Sequence, residues 1–526
     1  MGGESWDNLN DATAEDILWS TDNMGEAAPG VLSPLGWSLW GHIGELAARE
    51  ALFRAGALTA AERRLPDDPG DRVVRVFCGR MAMQVQFLAT VGNRMPGTSG
   101  QQVAEGIFGR IPDNLDYTAT RRRYPAVAAK LPAVTVLAPG QVRRLARETD
   151  AWWSAHTRAA ATWDRGEAVV GLRTGMMWFG RTLTLHTLCL MTCVSPTYDL
   201  LTRLVARVGA GDVAALSGSG GAEMAVVSDI WRASRKELTL DQVASNHGFH
   251  GPAEGEVSSR VWREDPSPLV ALISRYADEP DSAAPASIEA RRVEGERAAR
   301  AEVLAAVPSW QRPAVSAVLD LAAKRIPMRG VGKRSFLQGI DGTRAAARRL
   351  GELLAIFGAL EDPDDVFYLT WRELMLGPPA NARELVALRR ARRAEYQALI
   401  LPGSWTGTPV PIEAASSAGD TVTGIAASAG VVEGRVRVLL SPDFDAVEPD
   451  EILVAPTTDP SWSSVMFISS ALVVDIGSAL SHAAVVAREL GLPCVVNTRS
   501  GTRDLRTGDL VRVDGTAGTV TVLERA

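Results

Sequence analysis

The residues of this sequence best placed to do chemistry lie in the segment 475–496, where a histidine follows a short apolar run. Residues 471–476 have strand-like composition, small residues follow them, and an apolar-periodic stretch ends at Gly491 before a proline. This pattern predicts a strand, a turn and a helix, with Ser481 as the N-cap and His482 in the first helical turn. Because a helix N-terminus presents N–H groups and a partial positive charge, it can hold a phosphate. An imidazole there can act as a nucleophile, since its ordinary pKa of about 6.5 leaves it neutral near physiological pH.

Small side chains surround this histidine. Ala479, Ala483 and Ala484 predict a ring that large reactants can reach. The alternative is an ordinary histidine near the start of a helix in an α/β unit, and periodicity alone does not separate the two interpretations.

The segment 477–493 resembles a known signature and reads Gly-x-x-x-Ser-His-Ala-Ala-Val-Val-Ala-Arg-Glu-Leu-Gly-Leu-Pro. It is similar to the swivelling phosphohistidine domain of the phosphoenolpyruvate-utilising enzymes, which include phosphoenolpyruvate synthase, pyruvate phosphate dikinase and rifampin phosphotransferase. The resemblance implies that His482 is the catalytic residue, which is phosphorylated and carries the group between distant sites. The segment 456–462 resembles a family loop near that histidine. The residues expected to support the phosphate are Gly477, Ser478, Ser481 and Arg488.

Length and composition limit the class of protein. At 526 residues the chain predicts two or three domains, and 46% hydrophobic with 22% charged residues is typical of a soluble globular protein. The net charge of −7 argues against a nucleic-acid partner. Four cysteines without zinc-type spacing indicate reduced thiols. The polar start and the interrupted apolar stretch 176–194 predict neither a signal peptide nor a membrane span, so we expect a cytoplasmic protein.

The changes of periodicity and composition along the chain predict a multidomain fold of class α plus α/β. Residues 1–15 look like a loose N-terminus, and 16–401 have helical periodicity, which predicts a large, mainly helical domain. Residues 402–423 have the Pro, Gly and Ser content of a hinge linker. From 424 to 526, short strands with Gly and Asp turns predict a small β/β/α domain. The resemblance implies that these are the substrate-binding and the swivelling phosphohistidine domains.

A second group of polar residues lies in the segment 246–266, which is rich in Gly and Pro. Such loops often bind ligands, and this one resembles a signature of the family's substrate domain. No metal site is predicted, because its two histidines lack the i, i+4 helical spacing of zinc motifs. The expected substrate-binding residues here are His247, His250, Glu254, Arg260 and Arg263, with Glu223 behind them after a glycine-rich turn.

A basic segment, 325–334, has two interpretations. It is either an exposed loop or a clamp for a transferring phosphoryl group, for which Arg and Lys are suited.

The chain resembles rifampin phosphotransferase-like proteins that lack the ATP-grasp domain. We therefore expect a phosphotransferase component of secondary metabolism, in which His482 passes a phosphoryl group to a hydroxyl of a small organic acceptor. No tightly bound cofactor is expected, and ATP with Mg²⁺ would lie on a separate ATP-grasp partner that charges the histidine. Two alternatives stay open. One is a lyase or dehydratase that uses His482 as a general acid or base, and the other is a non-catalytic metabolite-binding protein.

Overall fold

The computed structural model describes residues 6–21, 24–28, 30–66, 68–96, 98–108, 115–217, 221–281, 284–412, 419–440, 446–458, 462–477 and 481–526. Within these residues the chain is mostly helical, with two β-sheets. None of the helices in these ranges is long and apolar enough to span a bilayer.

The helices are, in chain order, α1 Met24–Ala27, α2 Pro34–Trp37, α3 Glu45–Ala55, α4 Val85–Asn93, α5 Gly100–Phe108, α6 Tyr124–Ala160, α7 Arg165–Cys189, α8 Ser195–Val208, α9 Val213–Leu216, α10 Gly221–Ser234, α11 Leu240–His247, α12 Ser267–Asp278, α13 Pro285–Ala306, α14 Arg312–Arg325, α15 Met328–Ile356, α16 Trp371–Leu376, α17 Ala382–Ala398, α18 Ser463–Ile468, α19 His482–Leu490 and α20 Gly501–Asp504. π-Helical turns at Ser38–Gly44 and Leu190–Val194 join α2 to α3 and α7 to α8.

The strands are β1 Leu18–Ser20, β2 Val74–Phe77, β3 Arg80–Gln84, β4 Ser404–Thr406, β5 Thr421–Thr423, β6 Ile425–Ser428, β7 Val431–Val438, β8 Ile452–Ala455, β9 Ala471–Val474, β10 Cys494–Val496, β11 Leu510–Asp514 and β12 Thr519–Glu524.

Internal contacts divide the chain into two compact units. The first unit comprises Met1–Leu188, Ala253–Ser259 and Gly332–Ala414, and the second comprises Cys189–Pro252, Arg260–Val331 and Ala415–Ala526. Within the predicted hinge 402–423, β4 belongs to the first unit and β5 to the second. The hinge and the domain bounds at 401 and 424 stay predictions.

The first unit contains an antiparallel sheet in the order β2-β3-β1-β4, covered by helices. Trp19, Phe77 and Trp405 pack together on this sheet and are buried. Two residues of the predicted loose N-terminus are packed, because Leu9 is only 2% exposed and Asp7 accepts a hydrogen bond from the Tyr396 hydroxyl. The bound at residue 15 stays a prediction.

The second unit contains helices and an eight-stranded sheet in the order β5-β12-β11-β7-β8-β9-β10-β6. Strands β7 to β10 are parallel, so their carboxyl ends meet at one edge. Alternate residues of β8 enter different apolar clusters. Leu453 packs with α18 and α19 on one face, and Val454 packs with Leu505 on the other. The sheet therefore has a core on both faces, which accounts for its continuous apolar strands.

One local signal is overridden and one local interpretation needs correction. The helix α6 runs through Pro132 and Pro139 without interruption, although proline ordinarily breaks a helix. The basic segment 325–334 is not an exposed loop, because it spans the end of α14 and the start of α15, and Ile326 and Met328 are buried.

Candidate functional site

The predicted nucleophile occupies the position that the sequence indicated. His482 is the first residue of α19, and Ser481 is its N-cap in extended conformation, with φ −65° and ψ 166°. The Ser481 hydroxyl accepts a hydrogen bond from the Ala484 amide at 3.3 Å. The helix ends at Gly491, whose φ of 72° is left-handed. The predicted cap and helix are therefore confirmed, and Ser478 lies outside the described residues.

A threonine that we did not predict as a site residue contacts the histidine ring. The distance between Thr458 Oγ1 and His482 Nδ1 is 3.2 Å. Thr458 follows β8 and is buried. It belongs to the segment 456–462, whose resemblance to a family loop was the available signal, but pairing across 24 positions cannot be deduced from spacing. The contact fixes the position of Nδ1.

Contrary to the prediction, the ring of His482 is not accessible. His482 is 1% exposed, and Ala483 and Ala484 are also buried. The first turn of α19 packs on the sheet, and α13 and α18 contact this helix. Ala479 lies outside the described residues. A reactant can therefore reach the ring only if its surroundings rearrange.

Two predicted phosphate-supporting residues have defined positions. A Cβ added to Gly477 would lie 3.0 Å from the Ser481 hydroxyl oxygen and 3.2 Å from Val496 Cβ, so only glycine fits comfortably there. Arg488 lies near the other end of α19, where its Nε donates to the carbonyl of Ala427 at 2.7 Å. Gly477 therefore belongs to the turn beside the histidine, and Arg488 ties α19 to β6. Their role toward a phosphate stays a prediction.

A buried carboxylate organises the same edge of the sheet. Asp475 follows β9 and accepts hydrogen bonds from the Thr498 hydroxyl at 2.8 Å and from the Thr502 hydroxyl and amide. Burial raises the pKa of Asp475, while the threonine hydrogen bonds act in the opposite direction. The loops that follow β9 and β10 are thereby joined next to the turn that leads to His482.

The histidine-bearing region packs against helices of the same unit. The ring of Phe467 in α18 meets the ring of Tyr276 in α12 edge-on, with centroids 5.7 Å apart. Phe467 packs there against an apolar cluster that includes Val226 and Trp262. The described structure therefore shows one docked arrangement of this region.

Predicted acceptor residues in the second unit are partly brought together. His247 Nε2 lies 3.1 Å from Asp229 Oδ2, and the rings of His247 and His250 lie 6.3 Å apart. Burial by itself would raise the pKa of Asp229, but hydrogen bonds from Asn246 and His247 lower it. Both histidines are buried, and His250 also contacts Trp262. Asp229 is a polar partner that we did not predict.

The remaining acceptor candidates are more dispersed. Arg260 is exposed, and Arg263 lies 3.4 Å from the Glu264 carboxylate. Glu223 lies in α10, and the glycine-rich turn 218–220 before it falls outside the described residues. Glu254 belongs to the first unit, where the distance from its carboxylate to Lys333 Nζ is 3.3 Å. Substrate binding by these residues stays a prediction.

Among the residues that the structure describes, no cluster of three or more His, Cys, Asp or Glu side chains is arranged to hold an ion. None of the four cysteines, all of which lie in the described ranges, forms a disulfide.

Comparison with protein families gives two matches. Residues 447–518 match the mobile domain of PEP-utilising enzymes, and residues 237–330 match the fourth domain of rifampicin phosphotransferase. The first match contains His482, and the second contains the segment 246–266.

Three relatives illustrate the similarity. An uncharacterised protein of Mycobacterium tuberculosis is 35% identical over 53% of this chain and 30% of its own length. A rifampicin phosphotransferase of Streptomyces sviceus is 31% identical over 54% of this chain and 34% of its own length. A prodigiosin synthesizing transferase of Serratia marcescens is 30% identical over 52% of this chain and 32% of its own length. The chain thus spans about a third of the length of these relatives.

A solved NMR structure of Enzyme I is 21% identical and covers 34% of this chain and 53% of that chain, but its TM-score of 0.15 supports no structural argument. The two family matches and the rifampicin phosphotransferase relative confirm the resemblance that the segment 477–493 predicted, to the phosphoenolpyruvate-utilising enzymes with a mobile phosphohistidine domain.

Proposed function

We propose that this chain is a phosphotransferase component in which His482 carries a phosphoryl group to a hydroxyl of a small organic acceptor. The observation that carries the proposal is the contact between Thr458 Oγ1 and His482 Nδ1 at the N-terminus of α19. In the proposed architecture, a large helical substrate-binding domain precedes a small swivelling domain that holds this histidine.

Two tautomers fit the contact, because a threonine hydroxyl can donate or accept a hydrogen bond. If Nδ1–H donates to the Thr458 hydroxyl, the ring lone pair lies on Nε2, which is then the nucleophile. The hydroxyl keeps the imidazole oriented without adding a charge that would repel a phosphate. The N-terminus of α19 adds a partial positive charge beside the ring.

The proposed transfer has two displacement steps. In the first, a bond forms between phosphorus and Nε2 while the bond from phosphorus to the donor oxygen breaks. In the second, the acceptor oxygen attacks phosphorus, the phosphorus–nitrogen bond breaks, and its electron pair returns to Nε2 while a base takes the hydroxyl proton. Candidates for the acceptor side are His247, His250, Glu254, Arg260 and Arg263, with Glu223 behind them.

The proposed donor is ATP with Mg²⁺, held by a separate ATP-grasp protein. The burial of His482 supports movement, because neither donor nor acceptor can reach a ring that is 1% exposed. Release of Phe467 from the cluster around Tyr276 would accompany this movement. The proposed pivot is the segment 402–423, and the proposed cycle alternates between a docked and a released domain.

Labelled ATP tests the proposal. The chain is incubated with candidate ATP-grasp proteins and ATP that is labelled in its β- and γ-phosphates, and the acid and base stability of the protein-bound label is measured. We expect acid-labile, base-stable label that is absent from a His482→Gln variant. His42→Gln is the matched control, because His42 is a half-buried histidine of the first unit and should leave labelling unchanged.

Two outcomes would contradict the proposal. Equal labelling of His482→Gln would place the phosphoryl group elsewhere. Turnover of an acceptor without any nucleotide would favour the lyase or dehydratase alternative. Melting curves of both variants would show that each is folded.

A further inference from the structure

Two residues in the loop after β10 have backbone conformations that favour glycine. Asn497 has φ 58° and Arg499 has φ 64°, both in the left-handed region. Asparagine tolerates this region because its short polar side chain can bond locally, but arginine has no such advantage. A strained residue persists where the surrounding structure imposes it, and such residues cluster at functional sites.

This loop lies beside the turn that leads to the histidine. The Thr498 amide donates to the Val474 carbonyl at 3.2 Å, and the Arg499 amide donates to the Asp475 carbonyl at 3.0 Å. Arg499 therefore lies at the carboxyl edge of β9 and β10, where its backbone partner Asp475 precedes Gly477 by two residues. In open α/β sheets this edge is where ligands bind.

The loop is also held in place from within. Thr498 and Thr502 donate to the buried Asp475 carboxylate. A Cβ added to Gly501 would lie 2.9 Å from Asp475 Oδ1, which shows how closely the loop packs on that carboxylate. The left-handed conformation of Arg499 is thus fixed by this edge of the sheet, while its side chain stays exposed.

We propose that Arg499 binds the phosphoryl group during its transfer to and from His482. The inference rests on the proposed function and adds a residue to it. A guanidinium offers planar, bidentate donors that match phosphate oxygens, and it stabilises charge on a transferring phosphoryl group. No atom of Arg499 changes its bonding. Its role explains why a charged side chain occupies a position where glycine would remove the strain.

The strain itself provides the test. Arg499→Gly relieves the left-handed backbone and should raise the melting temperature, whereas loss of the guanidinium should slow phosphorylation of His482 at least about tenfold. Asn497→Gly is the matched control, since it relieves the same conformation in the same loop without removing a charge. It should leave the phosphorylation rate unchanged.

Phosphoramidate, a small-molecule phosphoryl donor, is the probe, and the full chain is used. The rate of acid-labile phosphate incorporation is measured against phosphoramidate concentration for the wild type, Arg499→Gly, Arg499→Lys and Asn497→Gly. We expect Arg499→Lys to fall between the wild type and Arg499→Gly, because it keeps the charge but loses the bidentate geometry.

The outcomes separate this inference from the proposed function. If the wild type and Arg499→Gly incorporate phosphate on His482 at the same rate, the role of Arg499 is refuted and the phosphohistidine survives. If the wild type incorporates none on His482 either from phosphoramidate or from labelled ATP with the ATP-grasp proteins, both fail. A slow Arg499→Gly variant that is also less stable than the wild type would indicate a structural role and overturn the inference.

Discussion

Two buried polar regions of this molecule differ in how their charges are matched. In the first unit, Arg344 and Asp341 are both fully buried, and Arg344 Nη1 donates to Asp341 Oδ1 at 2.9 Å. In the second unit, buried His482 lies against the neutral hydroxyl of Thr458. The first arrangement compensates a charge with an opposite charge, and the second orients a ring without charging it. Under the proposed function, the first region holds the fold together and the second orients a reactive ring.

The backbone does not follow the same division. Arg344 also donates to the carbonyls of Glu254, Glu256 and Val257, so it secures the segment 253–259. Ala253 at the start of this segment has a left-handed φ of 51°, and near His482 Asn497 and Arg499 are left-handed as well. Left-handed backbone therefore occurs in both regions, and the difference between them lies in their side-chain partners.

The largest expected effect is on the first region. Arg344→Met removes the guanidinium, so the Asp341 charge stays buried without its partner, although Trp153 Nε1 still donates to it at 2.7 Å. Leaving one member of a buried ion pair uncompensated should lower the free energy of unfolding by about 3–5 kcal/mol. Chemical denaturation followed by tryptophan fluorescence measures the change.

The control for that variant is Arg144→Met. Arg144 pairs with Glu148 at 2.9 Å on the surface of α6, with a side chain that is 79% exposed. Its loss should change stability by less than about 1 kcal/mol. Equal losses in the two variants would show that the buried network around Arg344 contributes no more than a surface ion pair. The holding role of this region would then be refuted.

Local sequence patterns predicted the ends of helices better than the contacts between distant residues. Ser481 and Gly491 cap the two ends of α19 as expected, because caps are encoded by residues within a few positions of the helix ends. Thr458 contacts a ring 24 positions away, and Arg344 reaches carbonyls almost 90 positions away, so no local spacing encodes either contact. The prediction that the His482 ring is accessible was wrong for the same reason, since the elements that pack on α19 are distant in sequence.

The two prolines of α6 show that tertiary packing can also override a strong local signal. The helix α6 continues through Pro132 and Pro139, although proline removes a hydrogen bond and clashes with the preceding turn. Val127 is buried before the prolines, and Val142 and Leu145 are buried after them. Tertiary packing on both sides thus outweighs a local breaking signal.

The second prediction concerns another buried histidine, in the first unit. His156 is 8% exposed, and its Nε2 lies 3.2 Å from the Gly342 carbonyl. Burial lowers its pKa to about 4, while the Gly342 hydrogen bond and the charge of Asp341 act in the opposite direction. The unfolded state binds a proton on His156 more readily than the folded state does. The contribution of the neutral, buried imidazole to stability is therefore full above about pH 6.5 and is lost as the pH falls toward 4.

That loss should reach at most about 3 kcal/mol, as a shift of this size implies. The free energy of unfolding measured from pH 7 to 4 should fall more steeply for the wild type than for His156→Gln, in which the amide keeps a donor for Gly342. Parallel curves would mean that the pKa of His156 does not differ between the folded and unfolded states, so burial of a neutral imidazole does not distinguish this region.

The third prediction concerns the ring partner in the second unit. Thr458→Val keeps the side-chain shape but removes the hydroxyl beside His482 Nδ1. We expect phosphorylation of His482 by phosphoramidate to slow about tenfold, with a stability change of about 1 kcal/mol, typical of a single neutral hydrogen bond. Thr458→Ser should restore the rate. If Thr458→Val matches the wild-type rate, the ring does not need this hydroxyl for orientation.

The smallest expected effect is on the cap of α19. Ser481→Ala removes the acceptor of the Ala484 amide and should lower stability by about 1 kcal/mol, a typical value for a lost N-cap. Thr239→Ala is the matched control, because Thr239 caps α11 through the Gln242 amide in the same way. Both variants should lose similar stability in thermal melts, but only Ser481→Ala should also slow phosphorylation, since His482 follows this cap directly. A cap loss that slows phosphorylation equally in both variants would show that the rate reports general stability, and the distinction between a holding and a reactive region would then rest on Thr458 alone.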